Sequence, residues 1–214
     1  MKKYHLAILM AWLPVFAANV QAQPQTSTEI RIAANLSGYD FRNRDNIMCA
    51  MKTGLTIGGV INFPVTDYFS LQSELSMNYK VSEIGYKETN IFNEYQYFSV
   101  EMPMYAILKK RMKHGKIFAG AGLFAGAGIK AGFAELNLYE DELIKPIDFG
   151  ATVIAGYELH HRLCIYAGMQ KGLVNLYNVG GSNAGMTSRT YFIGIACKLR
   201  GEKEERITVS FLNK

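Results

Sequence analysis

Beyond its first two dozen residues the chain has no apolar run of about eighteen residues, the length that would mark a clean bilayer-crossing helix. The nearest approach, residues 117–134, is rich in glycine and alanine and carries Gly122 and Gly126, a small-xxx-small pair of the kind packed membrane helices use. Its period is wrong for a helix. Gly120, Gly122, Gly126, Gly128 and Gly132 fall on even positions with Phe118, Phe124 and Lys130, while Ile117, Ala119, Ala121, Leu123, Ala125, Ala127 and Ile129 hold the odd ones. A strict period of two places alternate side chains on opposite faces of a strand.

Cysteine is scarce and odd in number. Cys49, Cys164 and Cys197 have no short spacings, which excludes a disulfide framework or a zinc motif. The strand reading puts Cys164 and Cys197 on opposite faces of neighbouring strands, so they are expected to remain thiols. An excess of charge is also missing. The net charge of +5 falls to +3 once Lys2 and Lys3 leave with the N-terminal segment described next, and no basic stripe interleaves with aromatics. A nucleic-acid partner is therefore not expected. Histidine is rare in the remainder: His114, His160 and His161 all fall in expected short turns. Small-barrel enzymes that trim or add acyl chains place histidine and serine toward the outer leaflet, where this chain has no histidine. No catalytic residue, cofactor or metal site is expected, and the adjacent His160 and His161 read as a solvated turn.

What is present begins with Lys2 and Lys3, an apolar run over residues 6–16 and a small-residue exit ending at Ala22. That order describes a cleavable secretory signal peptide over residues 1–22. The remainder is dominated by alternation. Phe69, Leu71, Leu75, Met77 and Tyr79 interleave with Ser70, Gln72, Glu74, Ser76, Asn78 and Lys80. Comparable patterns occur around residues 55–63, 98–108, 149–159, 163–170 and 190–199, with a weaker one over residues 30–36. Together with the glycine-rich segment these make eight expected strands of about 8–13 residues, long enough to cross hydrocarbon when tilted.

The connections sort into two classes. Residues 64–67, 111–115 and 160–162 form short turns, whereas residues 38–50, 82–94, 131–147 and 172–188 form long loops, and the two kinds alternate. Short periplasmic turns, long outer loops and an even strand count characterise outer-membrane barrels. Periodicity alone does not say which face is concave. The export signal, the loop alternation and aromatics near strand ends favour an apolar face toward lipid. The expected fold is all-β, an eight-stranded antiparallel transmembrane up-and-down β-barrel over residues 23–200 in the outer membrane of a Gram-negative bacterium. Residues 207–212 alternate like another strand, but a ninth would break the even count, so residues 201–214 are read as a charged periplasmic tail.

On this parity Glu74 and Glu101 face the lumen, as do Arg31, Lys52, Lys80, Lys130 and Lys198. An eight-stranded barrel is just wide enough for side chains to fill it, and charges buried there must pair. These seven residues are expected to form a structural ion-pair network. Pro103 cannot donate to the ladder and is expected to mark a bulge or irregularity that shapes the wall. Expected partners are outer-membrane lipid and, through aromatic and charged loop residues such as Tyr39, Phe41, Tyr86, Phe92 and Tyr139, an extracellular or envelope protein or glycan.

The stretch Ser70-Leu71-Gln72-Ser73-Glu74-Leu75 after a Pro-x-x-Asp turn, followed by Val100-Glu101-Met102-Pro103, resembles the PorT-like outer-membrane β-barrel family. The order of strands and loops is similar from about Glu29 to Leu199, including Gly156 to Leu159 at the end of the sixth segment. The charged tail and the cysteines depart from the pattern. The resemblance implies a barrel of the porin-like kind whose members mostly lack a defined activity. The founding member assists secretion, a role that no residue here transfers. A porin-like conduit for small solutes and, behind it, a lipid-modifying enzyme are the alternatives to a structural, adhesive or assembly role.

Overall fold

The computed structural model describes residues 26–43, 46–88, 91–132, 138, 144–159, 162–177 and 184–200. The expected signal peptide over residues 1–22, the expected tail after residue 200, His160 and His161 lie outside them. Eight strands run in sequence order: β1 (Ser27–Arg42), β2 (Ile47–Pro64), β3 (Phe69–Tyr86), β4 (Ile91–Met112), β5 (Gly115–Gly132), β6 (Ile147–Leu159), β7 (Leu163–Gly172) and β8 (Gly185–Arg200). Each pairs antiparallel with the next, and β8 returns to β1 to close the barrel. Closure leaves no strand edge, which a sheet in hydrocarbon requires because lipid offers no hydrogen-bond partners.

The registers set the shape. From Arg31 the paired row passes through Gly58, Ser76, Glu101 and Gly126 to Asp148. In the other direction it passes through Ala196 and Cys164 to Glu158. The two routes meet on β6 ten residues apart, between Asp148 and Glu158. That stagger tilts the strands by roughly 40–45° and gives an interior that side chains can fill.

The outside is apolar and the inside polar. Ile32, Ile165 and Ile195 stand side by side on β1, β7 and β8 and are 45%, 48% and 52% exposed. Ser76, Asn78, Thr152 and Gln170 are buried within the ring. A soluble barrel would show the reverse, so the fold resolves the inside-out ambiguity in favour of lipid. Inward glycines make room for inward rings on the neighbouring strand. A Cβ at Gly156 would lie 2.5 Å from the Phe118 ring, and one at Gly168 would lie 2.4 Å from the Phe192 ring. These are directly opposed pairs, so the glycine pattern is a packing device.

Three expectations change. The strands are longer than the alternation indicated: β1 has 16 residues and β4 has 22. Most of the first two expected loops is strand, with only four residues between β1 and β2 and four between β3 and β4. The third and fourth connections remain long. At about 3.3 Å per residue and this tilt, β4 rises about 50 Å along the axis, roughly twice the height of an apolar membrane band. Pro103 introduces no register shift: Ser73 pairs Met104 and Ser76 pairs Glu101 in one register, and the ladder only skips the positions between. The actual irregularities lie between Thr28 and Glu29, between Lys52 and Leu55, and opposite Phe98 and Ser99 on β5.

The cysteines stand as expected. All three are free; Cys164 faces inward and is buried, whereas Cys197 faces outward and is exposed. In detergent micelles a lipid-soluble maleimide should modify Cys197 roughly tenfold faster than Cys164, a difference lost on unfolding. Equal rates in the folded protein, read by mass spectrometry, would contradict this assignment of faces.

Candidate functional site

The inward-facing residues build two apolar plugs and a buried polar network. Tyr105, Ile107, Phe118, Ile154, Cys164 and Tyr166 pack together across the barrel with Phe192 against them. At the long-loop end Tyr39, Tyr95, Tyr97, Leu138, Leu176 and Met186 form a second cluster. Tyr39 and Tyr95 meet edge to face with ring centres 5.3 Å apart, a favoured aromatic geometry.

The ion pairs follow the expected parity in part. Arg31 on β1 donates to Glu74 on β3 at 2.8 Å and to Gln72 at 3.0 Å, while Glu29 lies 3.5 Å from its guanidinium. The guanidinium also sits 4.9 Å from the centre of the Tyr166 ring, close enough for a cation–π contact. Lys80 on β3 donates to Glu101 on β4 at 2.5 Å, and Ser99 donates to the same oxygen at 3.0 Å. Lys198 on β8 pairs with Glu158 on β6 at 2.6 Å. A neutral hydrogen-bond chain joins Ser37, Asn35, Thr56, Asn78 and Ser76 across β1, β2 and β3.

Two of the seven expected lumen residues are elsewhere. Lys130 is exposed. On β5 Gly128 pairs with Ser99 but Lys130 pairs with Phe98, so one extra residue intervenes and turns the lysine to the outer face. Lys52 sits at the β2 irregularity with its side chain 46% exposed, and it pairs with Glu83 at 2.8 Å near the rim. A bulge is invisible to a parity count, because it changes which side the next residue takes without changing the sequence pattern.

Four participants were missed. Glu29 precedes the expected first strand by one residue yet shares the parity of Arg31, and Gln72, Asp148 and Glu158 lie in the polar sets of β3 and β6. The same parity that places Glu74 in the lumen places Gln72 there, and the alternation of β1 and β6 does so for Glu29, Asp148 and Glu158. Asp148 accepts from Ser188 on β8. The Oε2 atom of Glu101 and the Oδ1 atom of Asp148 are buried with no protein hydrogen-bond partner. These two residues are paired from either side to Gly126.

The chemistry of this interior is that of a brace. Its acids meet fixed cations or hydroxyls, and the only described histidine, His114, is exposed in the turn between β4 and β5. Among the described residues no group of three or more His, Cys, Asp or Glu is placed to hold a metal.

Comparisons with known proteins agree with the architecture. The profile of the outer membrane protein beta-barrel domain family matches residues 21–178. No curated protein matches the chain. Among solved structures, the outer membrane protein OprG from Pseudomonas aeruginosa is similar, with a TM-score of 0.50 at 8% identity over 86% of this chain and 100% of that one. Neisserial surface protein A aligns with a TM-score of 0.48 at 12% identity over 81% of this chain and 98% of that one. Ail, the attachment invasion locus protein of Yersinia pestis, aligns at 0.44 and 9% identity over 81% and 99%.

Proposed function

This chain belongs to the outer membrane protein beta-barrel domain family, and from that premise we propose that it is a non-conducting, non-catalytic barrel acting through its protruding wall. The observation that carries this reading is the filled interior, with an aromatic plug at the long-loop end and a second apolar cluster within the ring. A solute conduit needs a continuous aqueous path, and the inward rings and buried ion pairs occupy the space where it would run. An acyl-transfer or hydrolytic role needs a nucleophile beside a base. No described histidine meets the buried serines, which speaks against that role.

The taller side of the barrel is the working surface. The β3–β4 hairpin carries regular strand pairing well past the apolar belt, β1 and β2 continue there paired to β8 and β3, and Met48 and Phe92 stand exposed on the outer face. Exposed aromatic and apolar side chains on a rigid wall suit contact with an extracellular or envelope protein or glycan in an adhesive or assembly role. Export on a signal peptide over residues 1–22, with the short turns and both strand termini toward the periplasm, completes the proposal. The Ser70–Leu75 and Val100–Pro103 motifs support a PorT-like affiliation within the family.

Planar bilayer recording provides the test. The refolded protein should give no steady unitary current, and reproducible single-channel steps would overturn the reading.

A further inference from the structure

We propose that Lys171 and Arg189 hold a phosphate of an outer-leaflet glycolipid against the outside of the barrel. The two residues are directly opposed on β7 and β8 and belong to the outward-facing set. Like charges directly opposite one another across a sheet are unfavourable unless something compensates them. Asp40 on β1 contacts both, with Arg189 at 3.2 Å. A single carboxylate leaves the trio with one positive charge uncompensated, and the three side chains are between about 30% and 40% exposed.

Their height selects the ligand. On the outer face Lys171 follows Met169, and Arg189 precedes Tyr191, so the cations stand one position above residues of the apolar belt. Phe149 on β6 and Leu173 beyond β7 are exposed on the long-loop side of Lys171, and the backbone N–H of Leu173 donates to the carbonyl of Phe149 at 2.9 Å. Cations standing directly above the outward Met169 and Tyr191 pair match a molecule with a phosphate at its head and acyl chains below, and they match free phosphate poorly. The outward cations Lys130 on β5 and Lys52 on β2 stand equally far round the ring from this pair, and Lys52 is already paired with Glu83.

The test uses the full-length barrel in detergent with EDTA throughout, so that no divalent cation bridges protein and lipid. Retention of bis-phosphorylated lipid A is followed by native mass spectrometry. The K171Q/R189Q variant should bind roughly tenfold more weakly than the parent, because two headgroup-level cations are lost. The D40N variant should bind several-fold more tightly, since the competing carboxylate is gone and both cations remain. A purely structural Lys171–Asp40–Arg189 bridge predicts no such gain. Equal retention by parent and K171Q/R189Q, equal retention of dephosphorylated lipid A, or full displacement by inorganic phosphate would each overturn the proposal. If the double variant does not show the folded gel mobility, K171Q alone carries the test with an expected loss of roughly threefold.

Discussion

Replacing Arg31 by methionine is expected to lower the unfolding free energy of the barrel by about 3–5 kcal/mol, the cost of removing one partner from a buried ion pair. Arg31 is 1% exposed and is the shared partner of Glu74, Gln72 and Glu29. Methionine fills much of the volume but leaves two carboxylates in a closed interior without the cation that compensates them. The loss is thus a desolvation penalty for the orphaned acids more than a missing attraction. Urea titration in detergent micelles, read by the shift between folded and unfolded gel mobility, measures it. A combined Glu29→Gln, Arg31→Met, Glu74→Leu variant should recover most of the stability, because it removes the buried charges together. A loss below about 1 kcal/mol for Arg31→Met alone would mean that water reaches the site and that the lumen is not closed there.

The second large effect is on the opposite face. Ile195→Arg should cost about 2–4 kcal/mol in a lipid bilayer, the penalty for a charge near the middle of the apolar band of a barrel. Ile195 has Ile32 and Ile165 as cross-strand neighbours, so no acid stands beside it to pair with an arginine. Phe92→Arg supplies the contrast. Phe92 is also exposed, but it lies near the long-loop end of β4, where the wall stands above the band. Its replacement should change stability by no more than about 1 kcal/mol. Equilibrium unfolding from lipid vesicles distinguishes the two. Near-equal costs would mean that the exposed isoleucine row does not face hydrocarbon, and the placement of the membrane on this barrel would have to be redrawn.

The alternation of Ser70, Gln72, Glu74, Ser76, Asn78 and Lys80 with larger apolar residues was enough to establish a strand and to divide its side chains into two faces. The same holds for Gly120, Gly122, Gly126 and Gly128 of β5, which share one face with Phe118 and Phe124. Parity also assigned Arg31, Glu74, Lys80, Glu101 and Lys198 to one face, while which of them meet was left to the structure. These inferences succeed because pleating is local: each residue's side follows from its neighbour's.

Strand ends were less legible. Around Tyr39, Phe41, Tyr95 and Tyr97 the wall rises past the lipid, the outer face is no longer required to be apolar, and the alternation fades although pairing continues. Lys52 and Lys130 were misplaced for a different reason. Their side is set by register irregularities in the pairing between strands, and nothing in a single strand's pattern records an extra residue.

By itself, then, the sequence determined eight amphipathic strands, the composition of each face and most of the charges that would need partners. Only the tertiary structure decided that the polar face is the concave one, because periodicity is unchanged when a sheet is curled the other way. Closure of β8 onto β1 brought Arg31 over Tyr166. The registers of the other pairs brought Lys198 to Glu158, turned Lys130 outward and set Lys171 against Arg189, since register is a property of strand pairs and not of any one strand.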